Sequence, residues 1–262
     1  MYDFSYSRAS SPDEAVSKHG SSDDARYLAG GMTLIPVLKQ RLDQPSDVVD
    51  LGELEDMRGI TEDDGAIVVK AMTTHHQVNS SDLVNTKIPA LADLAGTIGD
   101  PMVRNRGTIG GSLANNDPAA SYPSAVLALN ATVNTNNRSI PADEFFTGMF
   151  DTALEEGELI VSVSFPIPEQ AGYKHFPNPA SRYPIVGSFV AKTNDGVRVA
   201  ITGAGACAYR QTEFEEAWAD GDLDPDKIKD IKISDEGLNS DIHASAEYRA
   251  HLINVMTRRA IG

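Results

Sequence analysis

Two pairs of adjacent glycines, Gly30-Gly31 and Gly110-Gly111, each set in a run of small and hydroxyl-bearing residues, constrain the fold of this 262-residue chain more than any other feature. Tyr27-Leu28-Ala29 reads as a short strand running into the first pair, and Met32 to Leu42 then carries apolar residues at helical spacing. The first pair therefore marks a strand, turn, helix unit. Glycines allow a tight turn and a close approach to a ligand, while the helix that follows aims free N–H groups outward, an arrangement suited to a phosphate.

The second pair lies in Arg106-Gly107-Thr108-Ile109-Gly110-Gly111-Ser112-Leu113-Ala114-Asn115-Asn116-Asp117-Pro118, where hydroxyl and amide side chains add further donors. Two such turns are able to grip a pyrophosphate from both sides, with Arg104 or Arg106 as candidate cations. Taken singly, each pair reads equally well as a plain tight turn.

Around these segments, Val48 to Leu51 and Gly65 to Met72 read as strands, Pro89 to Ala95 as a helix, and Ser121 to Leu129 as a helix opened by the turn Asn115 to Pro118. The acid- and glycine-rich stretch Asp56 to Asp64 reads as a boundary between subdomains. Val161, Val163 and Phe165, and later Val197, Val199 and Ile201, alternate with polar residues as half-exposed strands do. The tail Ala244 to Ile261 reads as a closing helix packed on that later sheet, and the acidic run Gln211 to Asp226 as a solvated loop or helix.

The formal net charge of -16 opposes binding to nucleic acid or anionic lipid, whose capture depends on clustered lysine and arginine. No apolar stretch approaches the ~20 residues of a membrane span, and the amino terminus lacks the basic and apolar regions of a secretory signal, so a cytoplasmic protein is expected. Cys207 is the only cysteine, which excludes an internal disulfide, an iron-sulfur cluster or a cysteine-rich zinc site on this chain alone. It reads as part of a buried strand of small residues. His75 and His76, taken as strand neighbours, face opposite sides and do not share a metal.

Gly203-Ala204-Gly205-Ala206-Cys207-Ala208 fits the G-x-G-x-x-A nucleotide fingerprint after a strand, with Asp222 and Asp224 at a ribose-partner distance. Too few residues follow it for several βαβ units, and Tyr209-Arg210-Gln211 is a poor start for a binding helix. It reads as a decoy.

The segments Ala29 to Pro36, Val49-Asp50-Leu51, Ala71-Met72-Thr73-Thr74-His75 and Arg104 to Pro118 resemble, in order and approximate spacing, the medium FAD-binding subunit of carbon monoxide dehydrogenase and related molybdenum hydroxylases, the xanthine dehydrogenase-related family. The resemblance continues through Tyr173-Lys174-His175-Phe176, Ser181-Arg182-Tyr183, Tyr248 to His251 and Thr257 to Ala260, covering nearly the whole chain.

The resemblance implies an α+β fold: a two-subdomain FAD-binding unit (PCMH-like), residues 1–55 and 56–172, followed by a sheet-plus-helix domain, residues 173–262. It implies FAD held by Ala29, Gly30, Gly31, Met32 and Thr33 in a first loop and by Thr108, Ile109, Gly110, Gly111 and Ser112 in a second, with Ile98 against the cofactor and Tyr183 at the isoalloxazine ring. No catalytic or metal-ligating residue is expected here. The implied partners are a molybdopterin-binding large subunit and a small subunit with two 2Fe-2S clusters, in a dimer of heterotrimers. Met32 stands where the family often has histidine, threonine or another polar residue, and Ser121 where many members have an aspartate near the ribose. A freestanding FAD oxidoreductase and a cofactor-free scaffold stand as the alternatives, and Tyr183 reads equally as a packing aromatic.

Overall fold

The computed structural model describes all residues, 1–262. It is an α+β protein built on three main sheets in chain order, the architecture the resemblance implies. The first has three parallel strands, Ser5–Arg8, Asp47–Asp50 and Ala25–Leu28 in that spatial order, so the latest strand lies in the middle. Parallel neighbours need crossovers, which the helices Pro12–Gly20 and Leu34–Lys39 supply. Val48 and Val49 point to opposite faces of the central strand and both are buried.

The second helix is shorter than its apolar spacing suggests. The backbone from Gly30 to Thr33 stays out of the helix, and Arg41, at φ +60°, turns the chain away after Lys39. Met32 and Thr33, which helical periodicity assigned to the helix, are thereby left with the glycine pair as an open turn.

The second sheet has five antiparallel strands, Ile60–Asp63, Ala66–Lys70, Ile160–Pro166, Thr132–Thr135 and Ser139–Pro141. Part of the stretch read as a subdomain boundary is thus an edge strand, closed into a hairpin through Asp64 and Gly65 in left-handed conformations. Between Lys70 and Thr132 run six short helices, among them Pro89–Thr97, Ile109–Asn115 and Tyr122–Ala128. Helix His75–Ser80 opens with a capping box in which Thr74 and Gln77 satisfy each other's backbone donors, so His75 and His76 are helical rather than strand residues.

The third sheet is an antiparallel meander of Gln170–Pro177, Pro184–Thr193, Gly196–Thr202 and Tyr209–Arg210. Its two central strands, Pro184–Thr193 and Gly196–Thr202, are not half-exposed but buried on both faces. Phe189, Ala191 and Ala200 join the main core beneath Tyr122–Ala128, while Val186, Val190, Val199 and Ile201 pack under helix Ala246–Ile261 with Phe214 and Trp218. Arg198 sits buried on the inner face because its guanidinium donates to Leu127 O at 2.8 Å and pairs with Asp143. The polar residue Arg198 in this alternating strand therefore marks a buried guanidinium paired with a half-exposed carboxylate. Phe214 and Trp218 likewise tie the acidic run to the core. Cys207 lies in a turn, half-buried, because the strand preceding it ends at Thr202.

Candidate functional site

Between the edge of the first sheet and the helices of the second lies a cavity of about 770 Å³, within the roughly 300–1,000 Å³ range of small-molecule sites. Both glycine loops, Ile98-Gly99, the segment Thr152 to Ile160 and Ser181 to Pro184 line it.

The first loop is open toward this space. The backbone N–H groups of Gly30, Gly31, Met32, Thr33 and Leu34 make no hydrogen bond within the protein. These residues are half-buried or exposed, and the start of a helix leaves its N–H groups without intrahelical partners, so five consecutive free donors beside the cavity form a ready anion cradle. Gly31 adopts φ +72°, a region that glycine enters without strain. Gly30 serves a different need: a Cβ there would lie 2.1 Å from Arg106 O, so only glycine lets the first loop rest against the second.

The second loop faces inward. His75 N donates to Gly107 O at 3.0 Å, Ile109 N to Thr73 O at 3.1 Å and Gly110 N to Ala71 O at 2.9 Å. Gly111 N reaches Thr108 Oγ1 at 3.2 Å and Ser112 N reaches Thr108 O at 3.0 Å. A Cβ on Gly110 would sit 2.6 Å from Ala71 Cβ. Apart from the Thr108 N–H, which has no partner, this loop therefore offers side chains: the proton of the Thr108 hydroxyl and the Ser112 hydroxyl, neither of which donates within the protein.

The structure brings Ala29, Gly30, Gly31, Met32, Thr33, Ile98, Thr108, Gly110, Gly111, Ser112 and Tyr183 together on the one cavity. Ile109 is the exception: its side chain is fully buried in the main core and its N–H is engaged by Thr73. Arg104 is a brace, donating to Ile98 O at 3.1 Å and Gly99 O at 3.0 Å, and Arg106 opens toward a separate small pocket with Arg8 and Arg58. Arg182, at φ +65°, donates to the same Gly99 O at 3.3 Å and so ties the Tyr183 turn to Ile98. Tyr183 is 45 % exposed, and burial together with nearby Asp117 raises its phenol pKa.

Ser121 lines the cavity and accepts from buried Tyr173 Oη at 3.2 Å, which leaves its own proton available to donate. His75 also lines it; burial, reinforced by Arg104, depresses the imidazole to about 4, so it is neutral at physiological pH. The wall from Thr152 to Ile160 was not foreseen. Tyr27 Oη donates to Gly157 O at 2.9 Å across the fold, and Glu158, held near pKa 2 chiefly by hydrogen bonds from Arg138, fastens the rest. Partners so far apart in the chain leave no local sequence signal. No cluster of histidine, cysteine and carboxylate suited to a metal occurs, and no helix is long and apolar enough to cross a membrane.

These donors fit a dinucleotide diphosphate: an anion cradle with unpaired N–H groups, hydroxyls opposite it, and apolar and aromatic walls in the same cavity. Comparisons with known proteins agree. Residues 2–168 match the FAD binding domain in molybdopterin dehydrogenase, and residues 171–262 the CO dehydrogenase flavoprotein C-terminal domain. The glyceraldehyde dehydrogenase medium chain of Sulfolobus acidocaldarius is 34% identical, covering 98% of this chain and 97% of its own. The carbon monoxide dehydrogenase medium chain of Hydrogenophaga pseudoflava is 31% identical over 98% of this chain and 96% of its own. Among solved structures, reconstituted CO dehydrogenase from Oligotropha carboxidovorans superposes with a TM-score of 0.91 at 30% identity, covering 99% of this chain and 96% of that one. The chain belongs to the FAD-binding medium-subunit family of the molybdenum hydroxylases, oxidoreductase subunits of the carbon monoxide dehydrogenase type.

Proposed function

We propose that this chain is the electron-exit subunit of a cytoplasmic molybdenum hydroxylase, accepting electrons from the 2Fe-2S clusters of a small subunit and passing them to an external acceptor. Substrate oxidation then belongs to a molybdopterin-binding large subunit, and the assembly is a dimer of heterotrimers. The single observation that carries this reading is the cavity that joins five unpaired N–H groups to Tyr183. FAD, when bound, supplies the exchange between one-electron metal clusters and two-electron acceptors.

The chain's own residues bind and orient. Gly30 to Leu34 offer their N–H groups to the diphosphate, Thr108 and Ser112 donate from the opposite side, and Ile98 gives an apolar contact. Tyr183 packs at the isoalloxazine ring, and Ser121 donates a hydrogen bond where a carboxylate would accept one. Met32 is compatible with this role because its backbone N–H, not its side chain, faces the anion. The net charge of -16 repels a diphosphate at long range, so affinity rests on short-range donors. The site lies where the proposed units 1–55, 56–172 and 173–262 meet.

The test is the visible spectrum of the chain purified alone and after co-expression with its molybdenum and iron-sulfur partners, with released cofactor identified by mass. FAD bound, and reduced only when the partners and substrate are present, is the expected result. Flavin absent from both preparations contradicts the reading, as does full oxidase activity of the isolated chain.

A further inference from the structure

His75 lines the cofactor cavity at 5 % exposure, and no group in the protein takes up either of its ring nitrogens. Nδ1 is enclosed and has no hydrogen-bond partner. Nε2 has none either, and it lies at the second loop. A Cβ on Gly107 would sit 2.5 Å from Nε2 and 2.9 Å from Cδ2, so the imidazole edge fills the space that a side chain at Gly107 would need. The ring is held in place on two sides: it packs on buried Tyr122, with centroids 5.4 Å apart, and the backbone N–H of His75 donates to Gly107 O at 3.0 Å.

Burial and the neighbouring Arg104 keep the imidazole neutral, and no carboxylate acts on it. It is therefore not half of an acid–base pair. A neutral imidazole has one N–H and one bare nitrogen. An enclosed N–H without an acceptor is rarer in folded proteins than an enclosed acceptor without a donor, so the bare nitrogen is Nδ1 and the proton sits on Nε2, at the cavity wall.

That part of the wall belongs to the Tyr183 end of the cavity. Arg104 donates to Ile98 O at 3.1 Å and Gly99 O at 3.0 Å, and Gly99 O also accepts from Arg182, the residue before Tyr183. Ser121, next to Tyr122 in the chain, lines the cavity too. Other elements, Tyr27 of the first sheet and the segment around Gly157, wall the remainder.

We propose that His75 is a further FAD-binding residue, its neutral Nε2–H donating a hydrogen bond to an oxygen of the flavin half of the cofactor. The proposal rests on the FAD reading above, with Tyr183 at the ring. A neutral donor orients the flavin without placing a positive charge beside it, as an imidazolium or a guanidinium would.

The test is imidazole NMR on the full chain carrying isotopically labelled histidine, at neutral pH, free and with FAD; the His75 signal is the one lost in His75→Gln. The expected result is a neutral ring protonated at Nε2 in the free chain, with the Nε2 resonance shifted and its proton slowed in exchange once FAD binds. Binding isotherms supply the second measurement. His75→Leu is expected to weaken FAD binding about 10-fold, the loss of one buried hydrogen bond, while affinity for ADP, which lacks the flavin half, is unchanged. His75→Gln, whose amide NH2 replaces the Nε2 donor, is expected to restore FAD affinity to within about 3-fold of the parent. A proton on Nδ1, an Nε2 resonance indifferent to FAD, unaltered FAD affinity in His75→Leu, or equal losses for FAD and ADP overturns the proposal. A chain that holds FAD with His75 silent contradicts this inference alone; a chain that never holds FAD contradicts the cofactor reading and this inference with it.

Discussion

The two glycine loops look alike in sequence and differ in what their backbones do. In the first, Gly30 to Leu34 leave five N–H groups unpaired at the cavity; in the second, every N–H from Ile109 to Ser112 is engaged by the protein itself. Gly30 and Gly110 are both required by close packing, and Gly31 by its left-handed backbone. Paired glycines thus mark where two chain segments touch as much as where a ligand is held, and the acceptors around each amide decide which role a loop has.

That division is open to attack by substitution. The largest effects are expected at the packing glycines. Gly30→Ala and Gly110→Ala each push a methyl group into a neighbouring loop, at 2.1 Å from Arg106 O and 2.6 Å from Ala71 Cβ respectively. Each should cost about 2–3 kcal/mol by overpacking, and Gly30→Ala should also lose most bound flavin. Gly111→Ala, whose methyl meets Thr108 Oγ1 at 3.0 Å and otherwise ordinary contacts, should lose under about 1 kcal/mol. Denaturant midpoints and flavin content per chain check all three.

Next in size is a pH effect at the joint between the loops. His75 is buried against Gly107 with its pKa lowered from 6.5 to about 4. Below pH 6.5 the unfolded chain binds a proton that the folded chain refuses, so stability falls as pH drops from 6.5 toward 4 and is unaffected above that window. The loss should reach about 2 kcal/mol at pH 5. Unfolding of the FAD-free protein across this range, against His75→Asn, reads the difference; an identical pH profile in the variant would contradict the burial of a neutral imidazole.

A smaller effect separates the loops by function. Gly31→Ala forces alanine to φ +72°, a strain of about 1–2 kcal/mol, and should weaken FAD binding by about 10-fold. Thr108→Val removes the helix N-cap on Gly111 N and a free hydroxyl, so it should cost about 1 kcal/mol of stability and only a few-fold in FAD affinity. Titration of the apoprotein with FAD, followed by flavin fluorescence, ranks the two; equal losses of affinity would erase the contrast.

Much of this was legible because it is local. Strand, glycine turn and helix follow from adjacent residues, and the resemblance carried by Ala29 to Pro36 and Arg104 to Pro118 placed the cofactor loops on one cavity. The start of helix His75–Ser80 was misread as strand, although Thr74 and Gln77 have capping-box spacing. What stayed hidden depends on distant partners. Ile109 reads as a loop residue, yet Thr73 O draws its N–H inward and the core takes its side chain. Arg198 reads as solvent-facing until Leu127 and Asp143 are seen opposite it. The cavity wall at Gly157 is assembled from segments that no periodicity connects.

Residue-resolved amide hydrogen exchange, with and without saturating FAD, tests the division between the loops most directly. The account predicts fast exchange at Gly30 to Leu34 in the free chain with strong protection once FAD is bound, and protection at Ile109 to Ser112 in both states. Fast exchange at Ile109 to Ser112 in the free chain, or amides at Gly30 to Leu34 that stay unprotected with FAD bound, would contradict it.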